Sequence, residues 1–260
     1  MFDLAALNAE LAGTPFAGNL HFAPVTGSTN SDALVAARNG APHGSVYLTD
    51  EQTAGRGRSD HGWHSAPGEG LYVSVLLRPQ FPSARLPLLP LAIGLAASDA
   101  IQSTTGLTPD LRWPNDLLIG PRKLCGILVE SQLSSSSAGR AIVAGIGINV
   151  HQREFPPDLA TPATSLDLEL GRRISRQQLL AALLRSQLRE LEFLTDSDAP
   201  HPLLARVEQA STWICGRHVF VHGPQACQGI TAGLDPNGFL LVETASGRVT
   251  VQTGGLRAAE

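Results

Sequence analysis

Apolar positions along the chain fall into two rhythms. From residue 29 to 40 they recur at helical spacing through Ala33, Leu34, Ala36 and Ala37, with Thr29 as the expected N-cap and Asp32 as its acidic partner. Asn39-Gly40 supplies the stop. A longer amphipathic helix shows Leu179, Leu180, Leu183, Leu184, Leu188 and Leu191 on one face; the capping pair Ser175 and Gln178 opens it, and it runs to about Leu194. A third helix, over 88–103, overlaps the longest apolar run and belongs on the core. Apolar, β-prone runs predict strands at 45–50, 70–77, 123–131 and 141–150, with the serine-rich stretch 134–139 as a hairpin loop between the last two.

The character changes after residue 210. Four short strands are expected at 217–222, 228–234, 238–243 and 248–253, the later ones separated by turn residues at Pro236-Asn237-Gly238 and Ser246-Gly247. They predict a small β-barrel-like unit with a boundary near 205–212, so the chain divides into domains 1–208 and 209–260.

Composition changes this picture little. Hydrophobic residues make up 43% and charged residues 16% of 260, enough for a sizeable core. The net charge of −4 does not suit a nucleic-acid binder, which needs a basic face. The first twelve residues lack a basic n-region, so no secretory leader is expected. The apolar run 86–97 is too short to span a bilayer. Cys125, Cys215 and Cys227 suggest neither a disulfide framework nor a metal site, and a cytoplasmic location fits them best.

Three segments carry candidate chemistry. Gly55-Arg56-Gly57-Arg58 sits in a stretch of loop chemistry from 53 to 62. It is either a solvated hairpin or a loop that closes over an anion, since glycines let the backbone approach and guanidinium forks grip oxyanions. Arg112-Trp113-Pro114-Asn115-Asp116, followed by Lys123-Leu124-Cys125-Gly126, is either an ordinary hairpin or a turn that aims an ammonium at a reacting phosphate. Gly145-Ile146-Gly147-Ile148-Asn149 strips one strand face of side chains, which implies a flat ligand or close packing against it. The chain has no P-loop, no nucleophile elbow and no His-x-x-x-His zinc pattern. His43, His61, His64 and His151 read as solvated loop residues, and Cys125 as a packed thiol.

Taken in order, these segments resemble the biotin protein ligases. The likeness runs from Gly27-Ser28-Thr29-Asn30 through Glu51-Gln52, the Gly55–Arg58 run, Trp63, Gly70-Leu71-Tyr72-Val73-Ser74, Arg112–Asp116 and Arg122–Glu130 to Gly145–Asn149. The resemblance implies biotin and ATP as substrates, with Mg²⁺ arriving on ATP, and a biotin carboxyl carrier protein of a carboxylase as acceptor. It implies that Ser28, Thr29, Asn30, Gln52, Gly126, Gly145 and Gly147 line the biotin site. Arg56, Gly57 and Arg58 would close over biotin and phosphate, and Lys123 would touch the biotin carboxylate and the α-phosphate. Trp63, Asn115 and Asn149 would serve ATP, and Asp116 would act near the phosphates or the acceptor lysine; Lys123, Arg56, Arg58 and Asp116 form the implied catalytic set. The implied fold is α+β, a mixed, largely antiparallel sheet like that of class II aminoacyl-tRNA synthetases, followed by an SH3-like barrel.

The stretch Ser59-Asp60-His61-Gly62 lacks the extra basic residues of many relatives, which weakens the expected phosphate grip. Ser28-Thr29 comes too early for a preceding helix-turn-helix domain, so a ligase-only form is expected, without nucleic-acid or membrane partners and as a monomer or weak homodimer. Two rivals remain open on the sequence: a lipoate or octanoate ligase of the same fold, and a non-catalytic biotin sensor.

Overall fold

Two antiparallel-rich sheets share one hydrophobic core in the computed structural model, which describes residues 2–58, 61–133, 140–195 and 200–259. The first sheet has seven strands: β1 (Leu20–Thr26), β2 (Val46–Gln52), β3 (Gly70–Leu77), β4 (Asp110–Arg112), β5 (Asp116–Ile119), β6 (Arg122–Leu133) and β7 (Arg140–Asn149). Their spatial order is β1-β2-β3-β7-β6-β5-β4, and β1–β2 is the parallel pair in an otherwise antiparallel ladder. The architecture is therefore α+β with a mixed, largely antiparallel sheet, as expected.

Strand alternation sorts the two faces. In β3, Leu71, Val73, Val75 and Leu77 join the main core, while Leu76 joins a smaller cluster with Ala33 and Ala37. The main core is covered by α3 (Leu89–Thr105) and α5 (Arg176–Thr195), which pack on each other, with α1 (Leu4–Glu10) against α5. The opposite face receives α2 (Thr29–Arg38). That second face also carries Ser74, Gly145 and Gly147, and it is where the cavity lies. Residues 83–105 are apolar and long enough to cross a membrane by composition, but most of that segment is buried, with Leu89, Ala92, Ile93 and Ala97 at 0% exposure in the core.

The second sheet has order β11-β10-β9-β8-β12, built from β8 (Cys215–His222), β9 (Cys227–Leu234), β10 (Leu240–Thr244), β11 (Gly247–Val251) and β12 (Gly255–Ala258). Its buried residues Val219, Val221, Leu240 and Val242 belong to the same cluster as α3. Trp113 donates from Nε1 to the Gly238 carbonyl at 3.0 Å, fastening the two sheets together.

Several local expectations shift. The α2 N-cap is Ser28, not Thr29; Ser28 makes no side-chain cap bond, and the Thr29 hydroxyl turns into the interior instead. At α5 the Ser175 hydroxyl does accept from the Gln178 amide, at 3.2 Å. Seven helices and strands were not anticipated: α1, β1, β4, β5, the short α4 (Leu166–Leu170), α6 (Pro200–Gln209) and β12. The expected loop at 134–139 lies outside the described residues, as do Ser59 and Asp60 of the departing stretch. His151 is not solvated: it pairs with Asp167 at 2.9 Å. The Nδ1 of His43 accepts the Arg78 amide at 3.1 Å.

Candidate active site

The register of two strands makes one bare patch. Gly126 on β6 pairs with Gly147 on β7, and Leu128 pairs with Gly145. A Cβ at Gly147 would come 2.4 Å from the Trp63 ring, and one at Gly126 would come 2.7 Å from it. One at Gly145 would meet the Asn30 carboxamide. The flat group for which this face is cleared is thus the indole of Trp63, laid across two strands, with Asn30 beside it. Close packing accounts for the glycines, but the packing partners are a loop tryptophan and an asparagine, not a helix as a body.

Polar groups gather at one end of this patch. Ser28, Thr29 and Asn30 start α2 and are 4–5% exposed. The Thr29 amide donates to Gln52 Oε1 at 3.0 Å, and Gln52 Nε2 donates to Ser65 at 2.9 Å. Ser74 Oγ lies within hydrogen-bond distance of both Asn30 Oδ1 (2.5 Å) and Thr29 Oγ1 (2.7 Å). The Asn30 amide nitrogen donates to Glu130 Oε2 at 2.8 Å. Asn30 therefore lines the cavity with its carboxamide already engaged.

Cations gather at the other end. Lys123 Nζ is 2.7 Å from Asp116 Oδ1 and 5.4 Å from the centroid of the Trp63 ring. Arg112 holds the second oxygen of Asp116 at 2.8 Å. Burial works against the charged carboxylate of Asp116, but Lys123 and Arg112 together outweigh it and hold its acid strength above the ordinary. A carboxylate clamped by two cations is a poor proton acceptor, so its part is to hold Lys123 in place. Asn115 donates to the Ile127 carbonyl at 2.6 Å. Asn149 donates to the carbonyls of Thr164 (3.0 Å) and Lys123 (3.4 Å), so its amide supports the backbone at the lysine.

The Gly55–Arg58 loop folds across this site. Gly57 donates to the His61 carbonyl at 2.6 Å, and Trp63 donates to that of Gly55 at 2.9 Å. Arg56 reaches Glu130 at 2.7 Å. Arg58 donates to Asn115 Oδ1 at 3.1 Å and to the Gly254 carbonyl at 3.0 Å, 196 residues away. Burial weakens the hold of the Arg58 guanidinium on its proton, and nearby Asp116 opposes that; at neutral pH the group stays charged. The cavity, still partly open to solvent, has a volume of about 470 Å³.

Every residue expected at the site lines this one cavity: Ser28, Thr29, Asn30, Gln52, Arg56, Gly57, Arg58, Trp63, Asn115, Asp116, Lys123, Gly126, Gly145, Gly147 and Asn149. Sequence reasoning missed its other walls. Phe155, Leu159 and Thr161 come from the loop after β7, and His222, Gly254 and Arg257 come from the second sheet. None sits in a recognisable motif. Cys125 is fully buried, and burial pushes its thiol far up, so it is no nucleophile. Among the described residues no cluster of His, Cys, Asp or Glu could hold a metal.

Residues 22–149 match the Biotin/lipoate A/B protein ligase family. The chain is 36% identical over 232 residues to the bifunctional ligase/repressor BirA of Bacillus spizizenii, covering 88% of this chain and 70% of that protein. It is 35% identical over 237 residues to the biotin–[acetyl-CoA-carboxylase] ligase of Mycobacterium tuberculosis, covering 88% and 85%. The biotin protein ligase of Aquifex aeolicus, solved in complex with biotin and ATP, superposes with a TM-score of 0.81 at 30% identity over 93% of this chain and 99% of that one. With the glycine-backed tryptophan, the clamped lysine and the arginine loop all present, the chain belongs to the biotin protein ligases of the Biotin/lipoate A/B protein ligase family.

Proposed function

We infer that the protein is an ATP-dependent biotin protein ligase, which makes biotinyl-5′-AMP and passes the biotin to one lysine of a biotin carboxyl carrier protein. Its substrates are biotin and Mg-ATP. The observation that carries the reading is the polarity of the cavity. One end offers the Thr29–Gln52 hydrogen-bonding groups, the other the Lys123 ammonium held by Asp116, and two lid arginines cross between them.

The residue roles that the resemblance implies are consistent with that arrangement. Ser28, Thr29 and Gln52 meet the ureido ring of biotin, with Asn30, Gly145, Gly147 and Gly126 shaping the pocket. Lys123 faces the carboxylate and the α-phosphate, where its charge offsets the negative charge that develops as the carboxylate oxygen attacks phosphorus and pyrophosphate leaves. Arg56, Gly57 and Arg58 cover the mixed anhydride and keep water away. Trp63, Asn115 and Arg58 border the nucleotide, while Asn149 supports the Lys123 backbone. An acceptor lysine amine then attacks the activated carbonyl, forming the amide and releasing AMP.

The finer fold reading likewise belongs here. The seven-stranded sheet is read as class II aminoacyl-tRNA synthetase-like, and the second sheet as an SH3-like domain over 209–260, following a catalytic domain over 1–208. Its five short antiparallel strands support the latter. Three free cysteines suit a reducing cytoplasm. The net charge of −4 supports a protein without nucleic-acid partners; a monomer or weak homodimer is the form proposed.

The test is incubation with biotin, Mg-ATP and a carrier domain, followed by mass measurement of the carrier. Addition of one biotinyl group is expected. A lipoyl or octanoyl adduct, formed when those acids compete, would overturn the assignment, and so would the absence of pyrophosphate release with biotin and Mg-ATP.

A further inference from the structure

Glu130 stands outside the residues assigned so far, yet two parts of the site converge on one of its oxygens. Its Oε2 accepts from Asn30 Nδ2 at 2.8 Å and from an Arg56 guanidinium nitrogen at 2.7 Å. Asn30 is 4% exposed, and its remaining polar atom, Oδ1, lies 2.5 Å from Ser74 Oγ. Ser74 in turn touches Thr29, which is bonded to Gln52. An unbroken polar chain thus runs from a lid arginine through Glu130 to the polar end of the cavity.

The geometry also decides how Asn30 must point. Gly145 leaves room for the Asn30 carboxamide as a whole, and Ser74 Oγ donates to its oxygen at 2.5 Å. Glu130 accepts on the nitrogen side. The Leu128 carbonyl also accepts from that nitrogen, at a longer 3.3 Å, so Glu130 supplies the shorter and charged of the two contacts that orient the amide. We propose that Glu130 is a positioning residue for biotin binding: it orients Asn30 in the pocket wall and anchors the lid through Arg56. The carboxylate touches no reacting atom in this role. It acts through two neighbours that line the cavity.

The two partners differ in weight. The Arg56–Glu130 pair is half-exposed, with side chains 43% and 25% accessible, and exposed pairs contribute little on their own. Asn30 is buried, and losing its charged acceptor costs more. Biotin affinity should therefore follow the Asn30 contact, while lid anchoring follows the charge on Glu130.

Two variants separate these effects. Glu130→Ala removes both contacts and should raise the biotin KM about tenfold while kcat at saturating biotin stays within about twofold. Trypsin should also cut after Arg56 faster than in wild type, in the absence of any ligand. Glu130→Gln keeps a carbonyl acceptor for Asn30 but removes the charge. It should recover most of the biotin KM and leave the fast trypsin cut unchanged. If Glu130→Ala does not fold, Glu130→Gln carries the test through its protease rate. The proposal is overturned if both variants keep the wild-type KM and cleavage rate, or if kcat falls without a change in KM. The inference rests on the cavity being the biotin site. Absence of biotin-dependent pyrophosphate release in wild type would defeat that reading, whereas the ligand-free protease comparison judges Glu130 separately.

Discussion

Gly147→Ala should damage the site without removing any polar group. The added methyl would lie 2.4 Å from Trp63 Cε2 and 2.5 Å from Nε1, whereas ordinary contact begins near 3.4 Å. The indole must retreat by about 1 Å, and it has little freedom: its own amide is bonded to Gly55, and its far edge rests on Gly126. Overpacking of this size costs about 1–3 kcal/mol. If the ring yields by moving into the cavity, bound ligand must push it back, and the cost appears as a KM for biotin or ATP raised about 5- to 150-fold. If it cannot yield, the cost appears as a melting temperature lowered by several degrees. Pyrophosphate release against each substrate, with a thermal melt, divides the two. Trp63→Ala in the Gly147→Ala background supplies the decisive control, because removing the indole removes the clash. The stability penalty of Gly147→Ala should then largely vanish. A penalty that persists unchanged without the ring would refute the idea that Trp63 is the reason residue 147 must be glycine.

Lys123→Ala should leave a folded protein that releases almost no pyrophosphate, since one preorganised charge at a reacting centre contributes about 3–4 kcal/mol; near wild-type release would remove Lys123 from the chemistry. Arg58→Ala loses its bonds to Asn115 and Gly254, worth roughly 1.5–3 kcal/mol for charge-assisted contacts, so biotinyl-AMP should escape about 10- to 100-fold faster and label unrelated lysine-rich proteins in the same tube; labelling confined to the carrier would contradict this. Asp116 is a stronger acid folded than unfolded, so its stabilising contribution is complete above its ordinary value of 3.8 and fades as pH falls through the lower folded value; the melting-temperature gap between wild type and Asp116→Asn should shrink below about pH 4, and a gap independent of pH would count against the clamp. Cys125, buried with its thiol held protonated, should resist alkylation of the native protein at neutral pH while exposed Cys215 reacts, as peptide mass mapping would reveal.

The site was legible because its parts carry local signatures. A glycine in the middle of a buried strand, a lysine at a strand start and two arginines each preceded by a glycine are visible one segment at a time. Strand register then brought them together, as Gly126 opposite Gly147 illustrates. What the glycines accommodate was not legible: an indole from residue 63 and a flat ligand leave the same imprint on β7. Arg257 and Gly254 were missed for a related reason, since nothing in their neighbourhood distinguishes a wall of the site from a surface turn. In the fold, β1 escaped notice because it is an edge strand, half-buried and interrupted by Pro24, so neither period nor hydrophobicity marks it. Helix α6 begins with two prolines in three residues, which reads as loop. The misplaced α2 cap has a physical cause too: Thr29 has the right chemistry for a cap, but Gln52 and Ser74 claim its hydroxyl.

The bond between Arg58 and the Gly254 carbonyl also bears on biosynthesis. Residue 254 leaves the ribosome long after residue 58, when α2, β3, β6, β7 and the arginine loop have already been made. Until the turn at 253–254 folds into place, Arg58 has Asn115 as its hydrogen-bond partner and the loop lacks its far anchor. A nascent chain of this protein would pass through a stage in which the cavity lacks its second-sheet walls and its cover is incompletely fastened. Tight retention of a reactive acyl-adenylate is therefore among the last properties the growing chain acquires.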